Sequence, residues 1–320
     1  MREGAWTDPR LKILPRLWIF ALLPLVALLL SSCGKKNDSR VVDFRKTIPV
    51  ARPSNGTTGQ PTLKVAVGAM VSPRKTFVYY RQLLDYLGSK LGRHIELVQR
   101  KTYEEVNELF CKKRIDLAFI CSGPYVAGKD KCGFELLVAP EVHGRHFYYS
   151  YLIVNKNSPF KGIDDLKGRV FAFSDPDSLT GKLAPAYWLS RMHERPQTFF
   201  RKVVYTYSHD NSILAVAKGL VDGAAVDGLV WDYYQRTDPA LTSATRIVCK
   251  WGPYGIPPLV ASRTISPDLK ERVQKVLLTM NEDPWGRQIL KNLLIDRFII
   301  PEDKWYDSVR VLERRVSTGN

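Results

Sequence analysis

Cysteine is scarce in this chain of 320 residues: there are five, and no two are spaced as Cys-x-x-Cys. A zinc ribbon and a thioredoxin-type centre are thereby set aside. The signatures of common catalytic sites are also missing. No Gly-x-Ser-x-Gly, His-Glu-x-x-His or Gly-x4-Gly-Lys-[Ser/Thr] occurs, which removes the nucleophile elbow, the zincin helix and the phosphate-binding P-loop. His143 and His146 form a pair without a third ligand. Cys121, His209 and Asp227 would make a triad only on paper, so ligand binding without turnover is expected, with no cofactor and no metal. No repeat with a period of 20–50 residues is present, and Gly and Pro at 41 of 320 are too few for a low-complexity chain. Acidic side chains are in deficit, 32 against 48 Lys and Arg, a net charge of +16. That balance favours small oxyanions, lipid headgroups or nucleic acid as partners, or is simply a basic surface. A recognised nucleic-acid module is absent, so nucleic-acid binding is not expected.

No uncharged apolar run exceeds the 14 residues at 17–30. At 1.5 Å per residue it reaches about 21 Å, short of the roughly 30 Å hydrocarbon core. Arg10, Lys12 and Arg16 precede it and Leu30-Ser31-Ser32-Cys33-Gly34 follows. A basic flank, a short apolar core and small residues make a secretory signal peptide over 1–32. Leu-Ser-Ser-Cys matches the bacterial lipobox, so Cys33 is expected to be acylated and to become the mature N-terminus. Two or three acyl chains would hold it on a membrane at the periplasmic face of the cell envelope, where a single chain would not. Residues 33–61 are polar, without periodicity, and read as a flexible tether. Removing 1–32 leaves 44 basic against 30 acidic side chains, a net +14. In an exported chain Cys111, Cys121, Cys132 and Cys249 are free to form disulfides, with three pairings open.

From residue 62 onward the pattern is strand and helix in alternation. Strands are expected at 63–68, 95–98, 115–120 and 134–139, and helices at 79–91 and 103–111. A long aromatic strand follows at 147–155. A second series has strands at 169–173, 202–207 and 224–226, with helices at 178–192 and 211–218. Strands at 247–251 and 258–262 lead out, and helices at 268–280 and 301–315 end the chain. Such alternation implies βαβ units and a mostly parallel sheet. Two series with two crossings suggest two α/β lobes, one built from 62–150 with 255–320 and the other from 151–254. A ligand cleft would lie between the strand ends and close by hinging.

Five stretches line up in order with one family. LKVAVGAM at 63–70, YYRQLLDYLGSKLG at 79–92, IDLAFICSGPYV at 115–126, FAFSDPDSLTGKLAPAYWL at 171–189 and YSHDNSILAVAKGLVDGAAVDG at 207–228 resemble the periplasmic phosphate/phosphite/phosphonate-binding proteins of ABC importers. The likeness covers about 62–300. It implies an α/β, bilobal periplasmic-binding-protein fold with two hinge segments and a monomer that captures a small oxyanion. The implied partner is a membrane permease. The same module also serves as a sensor for a receptor kinase, and the sequence leaves importer and sensor both open.

The turn Ser174-Asp175-Pro176-Asp177-Ser178-Leu179-Thr180-Gly181 lies between a strand and a helix. Free N–H groups and the positive end of the dipole suit an anion there, with hydroxyls from Ser178 and Thr180. Family members hold the oxyanion at this turn, which implies Ser178, Thr180 and Gly181 as ligands; Asp177 or Ser178 would also serve as a plain cap. Tyr125 corresponds to a family tyrosine that donates to the ligand, the alternative being a packed strand-end aromatic. Tyr80, or its neighbour Tyr79, would contribute similarly from the first helix. His209, at another helix start, is expected to donate to a phosphoryl oxygen and to respond to pH, unless Ser208 or Asp210 caps and leaves it solvated. Asp227, at a strand end, would accept the proton of a monoprotonated oxyanion, or is a turn residue beside Gly228.

Two features depart from the family. Carboxylates that hold the ammonium of 2-aminoethylphosphonate fall by alignment near Leu229 and Pro257, neither of them acidic, and an unpaired buried ammonium is costly. Cys121, at a strand end, suggests the cleft thiol of arsenite-sensing relatives, or else a buried apolar thiol or a disulfide partner of Cys111 or Cys132.

Overall fold

The computed structural model describes residues 62–318; the expected signal segment, Cys33 and the tether lie outside the described residues. The chain opens with β1 (Leu63–Val67) and helix α1 (Pro73–Leu91). Pro73 stands where a helix needs no N–H donor, and Gly92, at φ 64°, ends it in a left-handed cap. Next come β2 (Ile95–Gln99) and α2 (Tyr103–Cys111), the latter started by a reciprocal cap between Thr102 and Glu105. The strand β3 (Leu117–Phe119), helix α3 (Ser122–Cys132) and strand β4 (Phe134–Glu141) complete this stretch.

The chain then enters a second sheet. Its strands are β5 (Phe147–Asn155), β6 (Val170–Phe173), β7 (Lys202–Tyr205), β8 (Gly223–Asp227) and β9 (Thr245–Gly255), in the order β7-β6-β8-β5-β9. The helices between them are α4 (Ala184–Arg191), α5 (His209–Ala217) and α6 (Gly228–Thr237). The strand β10 (Leu259–Ser262) returns to the first sheet, which is completed by β11 (Arg297–Ile299) in the order β11-β4-β10-β3-β1-β2. The tail adds α7 (Pro267–Leu278), α8 (Pro284–Leu293) and α9 (Asp307–Thr318).

Each sheet has an apolar core on both faces. In the first, Leu83 and Leu87 of α1 pack with Val273 and Leu277 of α7, while Val106, Phe110 and Tyr125 pack with Phe134 across the sheet. In the second, Phe171 and Leu189 lie on one face, and Ile213, Val216 and Tyr234 on the other. Helix α9 sends Val309 and Leu312 into the core of the second sheet.

The sheets are mixed, which corrects the mostly parallel expectation. β10 runs antiparallel to β3 and β4, and β5 antiparallel to β8 and β9. Strands that return from the other sheet re-enter without a crossover helix, so nothing requires them to be parallel. Helices α3, α6 and α8 are additions to the expected set, as is β11. Glycine and proline in Ser122-Gly123-Pro124 read as a turn, yet they fall in the first turn of α3, where proline is tolerated. Of the open cysteine pairings, the fold selects Cys111–Cys132, joining the ends of α2 and α3 with 4.1 Å between Cα atoms. Cys121 and Cys249 remain thiols.

The two halves touch directly. Tyr103 N–H donates to Asp175 Oδ2 at 3.2 Å, and Ser72 gives N–H and hydroxyl bonds of 2.9 and 2.8 Å to Asp210. His209 N–H reaches the carbonyl of Met70 at 3.0 Å. A Cβ on Gly123 would stand 2.6 Å from the carbonyl oxygen of Asp177, so only glycine permits that approach.

Candidate functional site

The turn after β6 is built around a proline. Pro185 has no N–H to return to Gly181, and its ring disfavours a regular turn before it. The chain responds with one π-helical turn, Leu179–Leu183, in which Leu183 N–H bonds the carbonyl of Ser178 at 2.9 Å. Such single wide turns recur at functional sites. Ser178 is the cap: its Oγ accepts from Gly181 N–H at 2.9 Å. The carbonyl of Thr180 is held by Ser150 Oγ at 2.6 Å, and its own Oγ1 is buried with no protein partner.

Gly181 therefore does not offer its N–H to a ligand, which corrects that part of the expectation. Its requirement is steric, since a Cβ there would lie 1.8 Å from Ser174 Oγ. Ser174 Oγ is likewise buried without a protein partner.

His209 opens α5 and is fully buried rather than solvated. Its Nδ1 accepts the backbone N–H of Asp227 at 3.0 Å, so a neutral ring carries its proton on Nε2, and that atom is buried without a protein partner. Burial pushes the imidazole down to about 3. Burial thus keeps the ring uncharged near neutrality in the ligand-free protein, against the expected pH response. The hydroxyl of Ser208 beside it also lacks a partner.

Asp227 ends β8 and caps α6, accepting from the N–H groups of Leu229 at 2.7 Å and Val230 at 3.4 Å through Oδ1. Burial pushes its carboxyl up to about 7 against these bonds. Capping and facing the cleft coexist, because only one carboxyl oxygen is used. Asp227 also pairs across the sheet with Ser150, whose hydroxyl holds Thr180. Thr180, His209 and Asp227 thus form one connected patch.

Of this patch Asp227 lines a cavity of about 540 Å3, together with Tyr79, Tyr80 and Tyr148 among others, whereas Thr180 and His209 do not line it. Both members of the Tyr79–Tyr80 pair line it. Tyr79 packs on Tyr233 of the other half with ring centres 5.0 Å apart, and Tyr80 lies within electrostatic reach of Asp227. Burial raises the phenol of Tyr80 and keeps it a donor at neutral pH. Tyr103 is similar: its hydroxyl is buried without a protein partner, close enough to Asp227 and Tyr80 to feel their charge. Among the described residues no Lys or Arg is buried. The patch consists of neutral donors around one titratable carboxyl, while Arg145, Arg236 and Lys250 line the cavity farther out.

Tyr125 is in a different place. It does not line the cavity; its hydroxyl donates to Asp303, which also pairs with Lys129 and Arg310 at 2.8 and 2.7 Å. Its ring packs 4.5 Å from that of Tyr306. Cys121 does not line the cavity either. Its sulfur takes backbone N–H groups from Gly123 and Leu179, and burial pushes the thiol up to about 11, so it is not a thiolate at neutral pH. Among the described residues no group of three potential metal ligands occurs. The arsenite expectation rests on Cys121 alone, a buried thiol 3.8 Å from the hydroxyl of the cavity-lining Tyr148.

Sequence reasoning passed over Tyr103, Tyr148, Ser174 and Ser208. Ser174 and Ser208 stood inside stretches already singled out, each just past a strand. Tyr103 carried no signal, since the first residue of a capped helix normally faces a core.

Residues 65–306 match the profile of a family described as "ABC transporter, phosphonate, periplasmic substrate-binding protein". The chain is 22% identical over 248 residues to the "Phosphonates-binding periplasmic protein" of Escherichia coli K12, covering 75% of this chain and 72% of that one. Its fold is similar to a binding protein component of an ABC phosphonate transporter from Pseudomonas aeruginosa, with TM-score 0.77, 20% identity, and 82% and 90% of the two chains covered. It is also similar to PhnD1 from Prochlorococcus marinus (MIT 9301) in complex with methylphosphonate, with TM-score 0.72, 22% identity, and 80% and 98% covered.

Proposed function

Since the chain belongs to the periplasmic substrate-binding proteins of ABC phosphonate transporters, we propose that its buried patch holds a phosphorus oxyanion for delivery to a permease. The observation that carries this reading is the pair of buried donors without protein partners, Thr180 Oγ1 and His209 Nε2, joined through Asp227. An unsatisfied buried donor costs about 1–3 kcal/mol, and an acceptor-rich anion removes that cost. Ser178, Tyr80 and Tyr103 add hydroxyls, and Asp227 shares one proton with the anion. Neutral, fixed dipoles suffice to bind it, as helix N-termini do. Tyr125 is left out of the set, because Asp303 occupies its hydroxyl.

The family is one of transport components rather than enzymes, and capture followed by closure is the whole reaction proposed. The lobes are taken to divide near 150 and 254; two separate sheets support that reading, although β5 of the second begins at Phe147 and α9 packs Val309 and Leu312 into the second core. Membrane attachment is proposed through acylated Cys33; among the described residues no helix is long and apolar enough to cross a membrane. Cys33→Ser is expected to move the protein from the membrane to the soluble fraction.

Aminoalkyl phosphonates are expected to bind poorly. Leu229 and Pro257 both line the cavity, and its one further carboxylate, Asp232, accepts from Tyr151 and lies near Lys250. Titration calorimetry tests the main reading: methylphosphonate or phosphite should bind, and Thr180→Ala with His209→Ala should lower affinity at least about 100-fold in a protein that still folds, at a melting temperature lowered by loss of the buried ring and of the acceptor for Asp227 N–H. Unaltered affinity in that double variant would place the anion elsewhere.

A further inference from the structure

The cavity is far larger than the anion that the buried donors imply. It measures about 540 Å3, whereas a cavity of about 150 Å3 already takes a benzene ring. Its size does not come from parted halves. The bonds from Ser72 to Asp210 and from Tyr103 to Asp175, and the packing of Tyr79 on Tyr233, already join the halves around it.

Asp227 and the hydroxyl-bearing Tyr80 and Tyr148 stand in a lining that is mostly apolar, with Leu83, Phe119, Phe147, Leu229, Leu293 and Phe298, and whose charged members besides Asp227 are Arg145, Arg236, Lys250 and Asp232. These residues come from both halves, and Asp227, which lines the same cavity, connects them to His209 through its backbone N–H. A ligand carrying only hydrogen or methyl on phosphorus would leave this surface in contact with water, whereas an apolar group of matching size would dry it. A cationic substituent does not fit this lining, because Arg145, Arg236 and Lys250 stand in it and the carboxylate of Asp232 accepts from Tyr151 and lies within electrostatic reach of Lys250.

Resting on the oxyanion reading above, we propose that this site selects a phosphonate or phosphate monoester bearing an uncharged apolar or aromatic substituent of at least ring size. The phosphoryl head sits at Asp227, the member of the donor patch that lines the cavity, and the substituent fills the chamber lined by Leu229 and Leu293.

The test is calorimetry on the full-length protein in detergent, with phosphite, methylphosphonate, phenylphosphonate and phenyl phosphate as ligands. Replacing methyl by phenyl is expected to tighten binding about tenfold or more, from burial of one ring. A preference for phenylphosphonate or for phenyl phosphate then tells a carbon–phosphorus link from an ester, and either supports the proposal. Leu293→Trp, which narrows the chamber, should cut the phenyl advantage to about threefold or less while phosphite affinity is unchanged. Phosphite or methylphosphonate binding as tightly as the phenyl ligands in the native protein would overturn this inference and leave the oxyanion reading intact. Binding of none of the four would overturn both.

Discussion

Asp227→Asn separates the oxyanion reading from a merely structural carboxylate. In the native protein the carboxyl titrates near 7 because it is buried, and Oδ1 is already committed to Leu229 and Val230 N–H. The other oxygen is left for the cavity. Two anionic oxygens in contact repel each other, so the complex keeps one proton between Asp227 and the ligand. Above pH 7 the free protein has lost that proton and must recover it on binding. The sign follows: affinity falls as pH rises, approaching about tenfold per unit well above pH 7, or about 50-fold and about 2.3 kcal/mol between pH 7 and 9. The asparagine amide donates without taking up a proton, so the variant loses this slope, and titration of the ligand itself is common to both proteins. Calorimetry with methylphosphonate in buffers of different ionisation enthalpy measures the uptake directly. It should approach one proton per ligand at pH 9 for the native chain and none for Asp227→Asn. A native dissociation constant that stays flat from pH 6 to 9, or a variant that tracks the native protein, would refute the shared proton.

Three further predictions bear on the same region. Gly181→Ala drives a methyl to 1.8 Å from Ser174 Oγ; overpacking of this kind costs about 1–3 kcal/mol, and Ser174→Ala in the same chain should restore part of the melting temperature. Tyr125→Phe removes a hydroxyl bonded to Asp303 and should lower stability by about 1 kcal/mol; a changed ligand affinity in calorimetry would return Tyr125 to the binding set. Loss of the Cys111–Cys132 bridge in the double serine variant opens a loop with a sequence separation of 21 and should cost about 3 kcal/mol in denaturant unfolding. Cys121→Ser should leave the effect of reductant on melting unchanged, because that thiol is unpaired.

Much of the local structure was legible in the order of residues. Period-two and period-four apolar spacing located β1, α2, β5 and most other elements, because burial on one face leaves that mark whatever the partner is. The turn at 174–181 and the start at His209 were legible for a related reason: a strand running into a helix exposes N–H groups locally, without help from the rest of the chain. Asp227 was legible only as a strand end, because the helix it caps was missed. What only the tertiary structure decided is where side chains from distant segments meet. The hydroxyl of Tyr125 goes to Asp303, 178 residues later. The hydroxyl of Tyr103 is instead buried within electrostatic reach of Cys121, Asp175 and Asp227, which no neighbour in sequence dictates. The antiparallel entry of β10, the choice of Cys132 as partner for Cys111, and the large apolar chamber are of the same kind. Each depends on how two separately built sheets come together, and a one-dimensional pattern records the face a residue buries but not the surface it is buried against.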